Sequence, residues 1–114
     1  MNHSQVVELK GGAQVSQLGL GTAQLGGLFS SVTESDGQEL IDTAIAAGVT
    51  YFDTAPHYGK GIAEKRLGRY LAKYPRGSWV LSSKVGRLLV PTVQEADSFF
   101  LDADNSVERL NDYS

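Results

Sequence analysis

Apolar positions along this chain fall into short runs whose period switches between two and about three and a half. Val6 to Leu9 and Val15 to Leu18 are β-prone runs on either side of Gly11 and Gly12, which predicts a hairpin over residues 1–18. Gly19 to Ala23 predicts a strand whose glycines admit a close neighbour, and Gly26, Gly27, Ser30 and Ser31 mark the loop after it. Leu40, Ile41, Ala44 and Ile45 then recur at helical spacing. They predict a helix from about Asp36 to Ala47, capped by Thr33 or Ser35 and ended by Gly48, with all four residues on the buried stripe. Val49 to Asp53 predicts the next strand. A second helix follows over Ile62 to Lys73, with Leu67, Tyr70 and Leu71 on one side and Glu64, Lys65, Arg66 and Arg69 elsewhere, and Pro75 and Gly77 end it. Trp79 to Lys84 predicts a third strand.

The order over residues 19–84 is therefore strand, helix, strand, helix, strand. It implies right-handed crossovers in a parallel sheet, an α/β fold. Residues 85–114 sustain no period and are expected to form an irregular tail, its acidic end a solvated loop. No repeat or low-complexity tract interrupts a single domain.

Composition narrows the function classes. The chain has 114 residues, 41% hydrophobic and 20% charged, which is ordinary for a globular domain. It is much shorter than the roughly 250 residues of a closed (β/α)8 barrel. A net charge of -3 and a pI near 5.2 provide no basic field for nucleic acid. The opening MNHSQVVELKGG lacks the layout of a signal peptide, and no stretch approaches the ~20 apolar residues of a membrane span, so a cytoplasmic location without a membrane partner is expected. The absence of cysteine excludes disulfides, thiolate nucleophiles and cysteine metal sites.

Several motifs fail. Gly19, Gly21 and Gly26 suggest a dinucleotide fingerprint, but Gln24 stands where GxGxxG needs glycine. A phosphate-cradling GxxxxGK[ST] does not occur. Asp102, Asp104 and Ser106 resemble the start of a calcium loop, yet Val107 occupies its glycine position. His3 and His57 do not have the spacing of a metal pair.

One constellation holds. Asp53 and Lys84 end successive parallel strands and so emerge at the same carboxyl edge, the ligand-binding edge of α/β sheets. Tyr58 lies on the loop after Asp53, between Pro56 and Gly59. A phenol with an ordinary pKa of about 10 is a poor proton carrier at neutral pH. A neighbouring ammonium favours the phenolate, and a carboxylate behind that ammonium keeps it charged and aimed. Asp, Lys and Tyr together suit carbonyl redox chemistry in which hydride moves separately, on a nicotinamide. The same residues also fit a structural ion pair beside a packed ring, and spacing alone leaves both readings open.

LGLGTAQLGGLF, AGVTYFDTAPHYGKGIAEKRLG and WVLSSKVGRLLVP together resemble the N-terminal part of an aldo-keto reductase. Within that family GGLF, APHYG and KVGRLLVP are most similar to the D-threo-aldose 1-dehydrogenase group. The resemblance covers roughly Val15 to Pro91, with a weaker echo at Asp112 to Ser114. It implies the first part of a (β/α)8 TIM barrel, an N-terminal hairpin plus about three βα units, apparently truncated. It implies NAD(P) as cofactor and a small sugar or carbonyl substrate. Of an Asp, Tyr, Lys and His tetrad, Asp53, Tyr58 and Lys84 match the first three. Tyr58 would be the acid/base, Lys84 would tune it and Asp53 would support Lys84. Gly21 and Thr22 match a glycine-threonine pair near the nicotinamide, with Asp53 beside it. The tetrad histidine and most adenine and phosphate contacts would lie beyond Ser114, and neither His3 nor His57 takes that histidine's place. The product implied is a lactone, from oxidation of an aldose at C1. The alternative is a non-catalytic truncated product or association module, with self-association through an unpaired sheet edge.

Overall fold

The computed structural model describes residues 5–28, 30–91 and 107–111. The hairpin forms as expected, with β1 (Val6–Glu8) antiparallel to β2 (Gln14–Ser16) and Val7 opposite Val15. Gly11 and Gly12 turn the chain at φ of +106° and +94°, a region closed to most side chains. Ser16 stops the ladder and ties it to the sheet: its N–H donates to Thr50 Oγ1 and its Oγ accepts from the Thr50 N–H, both at 2.9 Å.

Three short strands, β3 (Gly19–Gly21), β4 (Tyr51–Asp53) and β5 (Val80–Ser82), form a parallel sheet in that order. The register aligns Gly19, Tyr51 and Val80, then Leu20, Phe52 and Leu81, then Gly21, Asp53 and Ser82. Since successive side chains alternate between faces, Leu20, Phe52 and Leu81 share one face while the glycines, Tyr51, Asp53 and Ser82 share the other. β3 is shorter than expected because Ala23 opens a 3-10 turn, Ala23–Gly26.

Helix α1 (Glu34–Ala46) links β3 to β4, and α2 (Ile62–Leu71) links β4 to β5. Thr33 caps α1 by accepting from the Asp36 N–H at 3.1 Å, with Glu34 and Asp36 in the first turn, where the helix dipole favours acids. Both helices cover the Phe52 face. Phe52, Leu25, Ile41, Val49, Ala63, Leu67, Tyr70 and Leu71 form the buried core, with Ala44 and Ile45 packed against it. Leu40 does not join the stripe and is 39% exposed. It stands about 100° round the helix from Ile41, outside the face that meets the sheet and α2.

The helices are fastened at their ends. Glu34 accepts from Arg69 at 2.7 Å, Arg66 at 3.2 Å and the Tyr70 hydroxyl at 3.2 Å, which holds its carboxyl below the usual range, first through the bond from Arg69. Arg66 also donates to the Leu25 carbonyl at 2.7 Å, so α2 grips the turn that follows β3.

The expectation of an irregular tail is corrected. β6 (Arg87–Pro91) pairs antiparallel with β7 (Val107–Asn111), with Leu89 opposite Arg109. Two five-residue strands far apart in sequence leave too short an alternation to read, and their pairing is non-local. Of the acidic last twenty residues expected as a solvated loop, 107–111 form β7 instead; the rest of that stretch, the rejected calcium motif at Asp102 to Ser106, His3 and the echo at Asp112 to Ser114 lie outside the described residues.

Candidate active site

The parallel register sets what stands at the carboxyl edge. Asp53 closes β4 between Gly21 of β3 and Ser82 of β5. Lys84 is not the last residue of its strand as expected; β5 stops at Ser82. From two positions further on, its Nζ reaches back to Asp53 Oδ2 at 2.9 Å and to the Thr54 carbonyl at 3.0 Å. The second carboxylate oxygen, Oδ1, accepts from Ser82 Oγ at 2.6 Å.

Tyr58 arrives from the loop between β4 and α2. Its ring centroid lies 5.2 Å from Lys84 Nζ and meets the His57 ring edge-on at 5.3 Å. Backbone geometry holds it there. Gly59, Lys60 and Gly61 have successive left-handed φ values of +66°, +51° and +97°, which turn the chain sharply into α2. The Tyr58 carbonyl accepts the Ala63 N–H at 3.1 Å. Beneath the loop, a Cβ added to Gly26 would stand 2.6 Å from the Tyr58 carbonyl carbon, so the loops after β3 and β4 touch backbone to backbone.

The electrostatics follow from these contacts. The Ser82 hydrogen bond, then that from Lys84, hold the Asp53 carboxyl below its ordinary range; burial opposes them, and the charge of Lys84 adds a smaller lowering. Lys84 is raised, first by its bond to Asp53, with burial opposing and with the charges of Asp53 and Tyr58 and a hydrogen bond with Tyr58 adding to it. Lys84 therefore stays an ammonium. Both side chains are more than a third exposed, at 44% and 41%, so solvent screening keeps the pair's contribution to stability small.

The signs give a pH window. Asp53 is lowered, so its contribution is present above the unfolded carboxyl value of about 3.9 and is lost as pH falls through the lower folded value. Lys84 is raised, so its contribution is present below about 10.4 and is lost as pH rises through the higher folded value. Denaturant midpoints of the parent and Lys84→Met are expected to differ between these limits, and the difference to shrink below them in acid, where only the bond from Lys84 to the Thr54 carbonyl remains. A constant difference across the acid range would disprove the pairing.

Of the two residues expected near a nicotinamide, Gly21 is exposed, and a Cβ there would meet nothing within 4 Å. Thr22 is buried, and its N–H and hydroxyl both donate to the Asp53 carbonyl, at 3.0 and 2.8 Å. Its side chain thus braces the end of β4, while Gly21 leaves the open space. Among the described residues no cluster of His, Asp and Glu could hold a metal, and no helix is long and apolar enough to cross a membrane.

The family model described as "Aldo/keto reductase family" matches residues 17–112. The chain belongs to the aldo/keto reductase family. Its hairpin and parallel βαβαβ unit are the first part of that family's (β/α)8 barrel. An aldo-keto reductase described as putative, from Pseudomonas aeruginosa, superposes with a TM-score of 0.69 at 31% identity, covering 98% of this chain and 37% of that one. A D-threo-aldose 1-dehydrogenase from a Pseudomonas species is 40% identical over 105 residues, 92% of this chain and 32% of the relative. A pyridoxal 4-dehydrogenase from Microbacterium luteolum is 46% identical over 78 residues, 68% of this chain and 22% of the relative. This aldo/keto reductase chain thus spans about a third or less of the curated relatives' length.

The structure brings Asp53, Lys84 and Tyr58 together, sets Gly21 beside Asp53 and leaves His57 at the flank. Sequence reasoning missed Ser82, Tyr51 and the Gly26–Gly59 contact. Ser82 stands two residues before the strand end expected at Lys84, so only the observed register sets it next to Asp53; the glycine contact has no periodic signature.

Proposed function

We propose that this chain carries the acid/base part of an NAD(P)-dependent oxidoreductase that oxidises an aldose at C1 to a lactone. The observation that carries the reading is the line from Asp53 Oδ2 to Lys84 Nζ to the Tyr58 ring, at 2.9 and 5.2 Å, on the carboxyl edge of the sheet. The similarity to an aldose 1-dehydrogenase supports the substrate class.

Tyr58 takes the proton of the C1 hydroxyl as the C1–O bond becomes a carbonyl and the C1 hydrogen leaves with its electron pair. Bound NAD(P)+ supplies the hydride acceptor. Lys84, held charged by Asp53, sets a positive charge 5.2 Å from the ring of Tyr58, which accepts this proton. In support of a nicotinamide site, Gly21 leaves space beside Asp53 that any other residue would fill, and Asp53 retains acceptor capacity beyond its two hydrogen bonds. The lack of cysteine and of an apolar spanning helix among the described residues is compatible with work in the cytoplasm.

A second reading is favoured by exposed apolar surface, with Val6 58% and Val85 98% exposed and Leu81 40% exposed on the helix face of β5. In it the 114 residues do not turn over substrate alone, and copies associate through the outer edges of β3 and β5. One experiment separates the readings. The purified chain is incubated with NAD+ or NADP+ and L-fucose, D-arabinose or L-galactose, following reduced nicotinamide by absorbance, and its mass is measured across a concentration series. Turnover that Tyr58→Phe removes supports the first; no turnover, with mass rising above the monomer, supports the second.

A further inference from the structure

We propose that Ser82, held from behind by Tyr51, is a positioning residue that locks the Asp53 carboxylate with one oxygen committed to β5 and the other facing Lys84. Its catalytic purpose rests on the acid/base reading above; its geometry does not.

Hydrogen-bond direction makes the case. Ser82 Oγ donates to Asp53 Oδ1 at 2.6 Å, and a serine hydroxyl has one proton to give. The Tyr51 hydroxyl, 2.9 Å from Ser82 Oγ, must therefore be the donor of that second bond. Protons thus point toward the carboxylate from two sides, Tyr51 to Ser82 to Oδ1 and Lys84 Nζ to Oδ2 at 2.9 Å. The outer torsion of aspartate is broad and roughly two-fold, so a carboxylate held at one oxygen can rotate. Held at both, its plane is fixed, and with it the place of the flexible lysine that reaches toward Tyr58.

The sheet is built to seat this chain of donors. Tyr51 and Asp53 lie two apart on β4 and share a face, and Ser82 stands in register with Asp53. Tyr51 fits because β3 offers it a bare glycine: a Cβ on Gly19 would lie 3.0 Å from Tyr51 Cδ2. Asp53 meets Ser82 on β5 and Lys84 beyond it, Tyr51 shares its face on β4, Tyr58 on the following loop faces Lys84, and β3 contributes uncharged Gly21. From α2, Glu64 is engaged by Ser83 Oγ at 2.6 Å. A hydroxyl bonded to a carboxylate is a strong, charge-assisted donor, in line with the lowered carboxyl of Asp53.

The test is a carbon-13 NMR titration of the Asp53 carboxyl in the 114-residue chain, in the parent and in Ser82→Ala, Ser82→Thr, Ser82→Cys and Tyr51→Phe. Ser82→Ala is expected to move the Asp53 midpoint up, Ser82→Thr to return it to the parent value, and Tyr51→Phe to move it up by less. Ser82→Cys, close in shape and a weaker donor, is expected to move it up as well and decides the matter if Ser82→Ala does not fold. A serine that only packs would lower the thermal midpoint and leave the titration in place. Parent-like midpoints in the folded Ser82 variants, with Lys84→Met still shifting Asp53, overturn the proposal. The readout needs no turnover, so it can fail while the assignment of Tyr58 stands, and the reverse.

Discussion

Gly26→Ala is expected to destabilise the chain by about 3 kcal/mol or more, lowering its thermal midpoint by roughly 10 °C or beyond. The added Cβ would lie 2.6 Å from the Tyr58 carbonyl carbon, 2.7 Å from the Gly59 nitrogen and 2.8 Å from the Tyr58 oxygen. All three are backbone atoms, so no side chain can rotate aside. The loop after β4 must instead move as a piece, and it is pinned by the Ala63 N–H bonded to the Tyr58 carbonyl and by the left-handed run at Gly59, Lys60 and Gly61. The approach is mutual, since a Cβ on Gly59 would stand 2.8 Å from the Gly26 Cα and oxygen. Gly68→Ala is the control. It lies in exposed helix, its Cβ would meet nothing within 4 Å, and alanine there is expected to stabilise by about 0.5–1 kcal/mol. Thermal and denaturant unfolding of the two variants would measure the contrast. A Gly26→Ala chain within about 0.5 kcal/mol of its parent would mean that the loops do not touch as described.

How far the sequence was legible depends on whether a feature is local. Helix α1 is announced by Thr33, by the recurrence of Ile41, Ala44 and Ile45 and by Gly48, all within one element, and it forms there. Leu40 satisfies the same count but stands exposed, because periodicity fixes the spacing of a stripe and not its centre, which packing against α2 and the sheet decides. Asp53 and Lys84 could be set at one edge from strand order alone. Ser82 could not be tied to Asp53 without the register, and the role of Tyr51 follows only from Ser82. Gly26 and Gly59 looked like ordinary loop glycines, and only the meeting of two loops gives them their purpose. The β6 and β7 pair is non-local in the same sense, each strand having its partner outside its own stretch of sequence.

Tyr58→Phe is expected to lower kcat by about a hundredfold to ten-thousandfold, the range for losing a positioned general acid/base. The 114 residues hold three of the four residues that the resemblance implies, so the stringent setting is a full barrel in which this chain replaces the matching segment of the Pseudomonas D-threo-aldose 1-dehydrogenase, to which it is 40% identical over 105 residues. The unsubstituted hybrid sets the reference rate. Phenylalanine keeps the ring that lies 5.2 Å from Lys84 and edge-on to His57, so the loop and the cofactor affinity should hold. Only the hydroxyl is lost, and with it the atom proposed to move the proton. The loss should therefore fall on kcat and leave KM for the sugar within a few-fold. Lys84→Met is expected to lower kcat too, with the phenol intact, because the ammonium 5.2 Å from its ring is gone. Retention of turnover within about tenfold by Tyr58→Phe would remove Tyr58 from the chemistry and leave Asp53 and Lys84 as a structural pair.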